Sequence, residues 1–105
     1  MDDTQYQTLA DTTLARLEAA LEPAYTSGAI DELEREASTL TIIPDGGRTL
    51  VVSKHAPTQQ IWLASPRLGG LHFLYNGTDW LLPDGRSLSQ TLQAELAVDG
   101  VEVTL

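Results

Sequence analysis

Between residues 44 and 85 the chain is repeatedly cut by turn residues, and this punctuation constrains the fold more than any other feature. Pro44-Asp45-Gly46-Gly47, Pro57, Pro66, Gly69-Gly70, Asn76-Gly77 and Pro83-Asp84-Gly85 leave only short runs between them. Thr39 to Ile43, Arg48 to Ser53, Gln60 to Ser65, Gly70 to Tyr75 and Asp79 to Leu82 therefore read as strands. Tight turns between consecutive strands favour antiparallel pairing, and Asn-Gly is a strong hairpin signal.

Helical patterns flank these strands. Tyr6, Leu9, Ala10, Thr13, Leu14, Leu17, Ala20 and Leu21 recur at helical spacing, which predicts a helix from Thr4 to about Leu21. Asp2 and Asp3 suit its start as cap and dipole partners. Pro23 disfavours helical geometry at Glu22 and sets the expected end. Ser87 and Gln90 form a capping box that opens a second helix, with Leu88, Leu92 and Leu96 as its apolar stripe. Val98 to Leu105 reads as a short tail packed beside the helices. Residues 29–37 are helical by propensity and are not assigned by pattern alone.

Two helices with one apolar stripe each most economically cover one face of a sheet. The expected fold class is α+β, a two-layer α/β sandwich with two helices on one face of an antiparallel sheet of about five to six strands. A chain of 105 residues fits a single domain, 1–105. The other sheet face is left to water, and strand alternation gives it Ser53, Gln60, Trp62, His72 and Leu74. Trp62 stands out there. If Ile61 and Leu63 point into the core, Trp62 points outward and forgoes on the order of 2–3 kcal/mol of apolar burial. Such an exposed aromatic often marks a binding surface.

The formal net charge is −9, and −7 of it falls within residues 1–36. Clustered Lys and Arg are lacking, which argues against nucleic acid as a partner. The asymmetry favours cations or a basic protein surface. Asp11, Glu18 and Glu22 fall within about 40° of one another on the first helix, opposite its apolar stripe. Glu18 and Glu22 sit near the helix C-terminus, where negative charge is unfavourable, and they repel each other at i,i+4 spacing. Helix stability does not account for them. Carboxylates suit hard cations such as Fe³⁺, Ca²⁺ or Mn²⁺, and a shallow row of them suits weak, exchangeable binding. The chain has no cysteine, which excludes disulfides and thiolate metal sites. No apolar run approaches a membrane span of about 20 residues, and the N-terminus has no signal-like apolar core. A cytoplasmic protein is expected. No nucleophile–base constellation is visible, so the expected role is binding rather than catalysis.

Pro57, Gln60-Ile61-Trp62-Leu63-Ala64-Ser65-Pro66, Gly69-Gly70 and His72-Phe73 together resemble the signature of the frataxin family. Leu9-Ala10-Asp11, Leu40-Thr41-Ile42 and Asp79-Trp80 extend the resemblance. It implies that residues 29–37 form the first strand, with Glu32, Glu34 and Glu36 on one side. It also implies iron, as Fe²⁺ or Fe³⁺, bound weakly and reversibly by acids of the first helix and adjoining strand: Asp3, Asp11, Glu18, Glu22, Glu32 and Glu34. The implied function is to supply iron to iron–sulfur cluster assembly, or to regulate it, by docking on the cysteine desulfurase and scaffold protein. Trp62, Gln60, Lys54 and Ser53, with His72 nearby, would touch that partner. A monomer with iron-dependent oligomers is implied. Ser53 stands where the family usually has Asn, and Ala19 and Pro23 where relatives often carry acids. The competing readings are an acidic interaction module with incidental metal binding and a weak ferroxidase.

Overall fold

The structure, a computed structural model, describes residues 1–105. Helix α1 (Asp3–Thr26) is followed by six strands and a second helix. The strands are β1 (Ile30–Glu36), β2 (Thr39–Pro44), β3 (Leu50–His55), β4 (Gln60–Ser65), β5 (Gly69–Tyr75) and β6 (Trp80–Leu81). Helix α2 spans Leu88–Val98, and a single 3₁₀ turn, Ala56–Thr58, joins β3 to β4. The strands pair in chain order, every neighbour antiparallel, as the punctuation predicts. Within residues 29–37, Ile30–Glu36 forms a strand rather than a helix.

Alternation sorts the sheet. Leu40, Ile42, Leu50, Val52, Ile61, Leu63 and Phe73 point inward and are fully buried. Tyr6, Ala10, Leu14, Leu17 and Leu21 of α1, with Leu88, Leu92 and Leu96 of α2, close over them in one core. Trp80 joins this core, and its indole N–H donates to Thr13 Oγ1 at 3.0 Å. The tail beyond α2 lays Val101 into the core and brings the Leu105 carbonyl to Arg16.

Both helices start on capping boxes. Gln5 N–H donates to Asp2 Oδ1, and Asp2 N–H donates to Gln5 Oε1. Ser87 and Gln90 repeat the arrangement at α2. The expected end of α1 is corrected: the helix runs through Pro23 to Thr26. Pro23 offers no N–H to the Ala19 carbonyl, but both residues are exposed, which leaves that carbonyl on the solvent side. The added turn packs Ala24 against the core and closes with Ser27 N–H on the Pro23 carbonyl. Strand β3 is likewise displaced by two residues from its expected span, starting at Leu50. Arg48 is drawn out of the strand toward α2.

Its partner there is Glu95, fully buried on α2. Arg48 Nη1 and Ser65 Oγ both donate to Glu95 Oε1, and Arg67 donates to Oε2. Arg48 also donates to the Glu95 carbonyl and to Asp99. One carboxylate thus ties α2 to the approach to β3 and the exit from β4. Burial pushes its pKa up, but the bonds from Ser65, Arg67 and Arg48 outweigh this and hold it below the usual carboxylate value. The stabilisation is therefore complete above the ordinary carboxylate range and is lost as pH falls through the lower folded pKa. Glu95→Gln is expected to cost about 3 kcal/mol in urea denaturation at neutral pH. The same variant should lose less stability than the wild type between neutral pH and pH ~3.

Candidate functional site

The acids of α1 face away from its buried stripe. Asp3 lies in the first turn, and Asp11 and Glu22 are exposed. Glu18 is half-buried, because Arg35 of β1 reaches across to it, Nε to Oε1 at 3.3 Å. Arg35 also extends a weak contact to the Asp11 carbonyl. Asp11 Oδ1 meets Lys54 Nζ, which bonds Gln7 Oε1 at 2.9 Å as well. Two of the six expected metal-binding acids are therefore already paired inside the molecule.

Glu32 and Glu34 are placed elsewhere. They share the outer face of β1 with Glu36, because each lies opposite an outward residue of β2: Ile43, Thr41 and Thr39. Leu33 and Arg35 alternate to the helix side. The expected set thus divides between two surfaces, with α1 on one and the β1 glutamates on the other. Glu34 and Glu36 line a shallow hollow with Thr39 and Thr41. Protonated Glu34 can donate to the Glu36 carboxylate, and this bond, with repulsion from Glu36 and Glu32, raises the pKa of Glu34. No three His, Cys, Asp or Glu side chains converge on one point. The donors are hard oxygens, which suit hard cations, but they stand singly or in pairs.

The outer face carries the second constellation. Glu36, Thr39, Ser53, Trp62 and His72 form one continuous row across β1 to β5. Trp62 is outward, as alternation predicts, but it is not bare. Its ring stacks on His55 at 3.7 Å and on His72 at 4.2 Å, each inclined by 13°. Its Nε1 donates to Gln60 Oε1 at 2.7 Å, which also accepts from Thr58 Oγ1. Thr58 Oγ1 in turn meets His55 Nδ1 at 2.8 Å. The expectation of an exposed indole is corrected: two imidazoles cover its faces, and the half-buried ring offers its edge. His55, expected in a loop, is the last residue of β3. The turn that aims it needs Gln59 in the left-handed region, at φ 53°, the one non-glycine residue there.

Gln60, Ser53 and His72 lie beside Trp62. Lys54 does not. As the neighbour of Ser53 it alternates to the helix side, where its side chain is only 12% exposed. Leu74, 51% exposed on β5, adds apolar area to the outer face. The stacking role of His55 lay beyond the sequence pattern, since it depends on the conformation of the 3₁₀ turn. Glu95 gave no signal either, as its partners come from residues 48, 65 and 67.

The sequence profile of the frataxin-like domain matches residues 1–101. The iron–sulfur cluster assembly protein CyaY of Vibrio cholerae is 33% identical over 81 residues, spanning 77% of this chain and 74% of that protein. The protein of the same name from Burkholderia mallei is 32% identical over 80 residues, 76% of this chain and 73% of its own. Among solved structures, frataxin from Psychromonas ingrahamii superposes with a TM-score of 0.87 at 24% identity, covering 99% of this chain and 96% of that one. Trimeric yeast frataxin complexed with ferrous iron superposes with a TM-score of 0.74 at 32% identity, covering 86% and 83%. Six antiparallel strands under two helices, with the Gln60-to-Phe73 motif on the central strands, agree with these matches, and the chain belongs to the frataxin family.

Proposed function

We propose that this protein takes part in iron–sulfur cluster assembly, carrying iron loosely on its acids and docking on the cysteine desulfurase and scaffold complex. The observation that carries the reading is the outward row of α1 acids, kept where helix stability gains nothing from them. The relatives named for cluster assembly and the ferrous complex of the yeast protein support it. Iron is a cargo here. With at most two carboxylates near one point, each site holds it with few protein ligands and releases it readily. A cytoplasmic binding protein rather than an enzyme fits this role. No helix of the chain is long and apolar enough to cross a membrane.

Docking would use both surfaces. The α1 acids meet a basic groove, and affinity falls as salt screens the charges. The edge of Trp62, with Gln60, Ser53 and His72, contacts the same partner. A second reading keeps the protein partner and makes metal binding incidental, and the lack of three converging ligands favours it. Calorimetry in physiological salt with excess Mg²⁺ separates the two: iron heat that persists supports the cargo reading, and heat that vanishes supports the second.

Glu18→Lys with Glu22→Lys is expected to weaken iron and desulfurase binding together, with the circular dichroism spectrum unchanged. Unaltered titrations of that double variant would refute the docking mode. His72→Ala should free one face of the indole. It should cost about 0.5–1.5 kcal/mol of stability and raise the acrylamide quenching of Trp62, while buried Trp80 stays protected.

A further inference from the structure

The α1 acids are not equally available, and the difference comes from two cations of the same chain. Arg35 leaves the row of glutamates on β1, points to the helix side and pairs with Glu18 while touching the Asp11 carbonyl. Lys54 leaves the Trp62 face, points the same way and pairs with Asp11. Two consecutive stations of the ridge, seven residues apart in α1, are thus covered from the sheet edge and from β3. Asp3 and Glu22, at the two ends of the helix, have no such partner, and neither have Glu32 and Glu34 on the outer face.

We propose that Arg35 and Lys54 are resident counter-ions of the α1 acids, which hold the middle of the ridge closed until an incoming cation or basic side chain displaces them. The inference rests on the iron-and-partner reading above and adds its regulation. Asp11 and Glu18 are second-choice stations, reached only by a ligand strong enough to break an ion pair. Glu22 and the β1 glutamates take a cation first. Arg35 is the easier counter-ion to displace, since its side chain is 37% exposed and Lys54 only 12%. Lys54 also keeps Gln7 as a second partner. A basic partner that supplies its own guanidinium to Glu18 would set Arg35 free, so docking and opening of the ridge are one exchange.

The test is an anaerobic Fe²⁺ titration of the nitrogen-labelled protein followed by amide resonances. In the wild type, paramagnetic broadening is expected around Glu22 and Glu32 to Glu36, with Asp11 and Glu18 affected last. Arg35→Gln should bring Glu18 into the first group and tighten the apparent Kd by about two- to fivefold, the size of one exposed ion pair. Lys54→Gln should do the same at Asp11. Arg35→Lys keeps the charge and should stay close to the wild type. Arg86→Gln removes an equal charge from an exposed turn, where Arg86 pairs with Asp84, and should leave the order of broadening unchanged. If Lys54→Gln fails to fold, Arg35→Gln on its exposed strand carries the test. An identical order and Kd in the wild type and both Gln variants overturns the inference while leaving the iron reading intact. An Arg86→Gln effect equal to that of Arg35→Gln also overturns it, because net charge would then suffice. No response on α1 or β1 in any of these proteins overturns both.

Discussion

The burial of the apolar stripe of α1 against the inner sheet face is the contact on which the other features depend. Tyr6, Ala10, Leu14, Leu17 and Leu21 are fully buried there, which fixes the rotation of the helix about its axis. Once that rotation is set, Asp11, Glu18 and Glu22 can only lie on the far or flanking side. The charge distribution follows from the hydrophobic one. Turning α1 by a quarter would bury carboxylates at several kcal/mol each, so the acidic surface is as rigid as the core beneath it.

The same constraint explains why the expected acid set divides. On a helix, residues at i, i+7 and i+11 share a face, so three acids on α1 make one row. On a strand, alternation sends Glu32, Glu34 and Glu36 to the outer side and Arg35 to the helix side. The helix row was legible in the sequence, and the alternation of the three glutamates came from the family resemblance. Their relative placement was not legible, because it depends on which face of β1 meets α1. Lys54 shows the limit from the other direction. It is adjacent to Ser53 in sequence, yet one step along a strand moves it to the opposite layer, where it meets Asp11.

Antiparallel pairing from β2 onward was readable because turn signals separate the runs, whereas β1 rested on the family resemblance. Boundaries failed where tertiary contacts overruled local preference. Pro23 did not stop α1, since Ala24 gains core contact beyond it. Arg48 did not begin β3, since its guanidinium is held by a buried carboxylate 47 residues away. Trp62 was placed on the correct side by alternation, but its covering was invisible. Two histidines 17 residues apart meet over it only after β3, β4 and β5 are aligned in register.

A meander of six strands that never closes on itself has two free margins, each a template for an unwanted extra strand. One margin, β6, is only two residues long and offers little to pair with. The other, β1, is seven residues long and would be adhesive if it were neutral. Its glutamates make any second copy aligned alongside it repulsive. Charge kept at this margin therefore also guards against self-association.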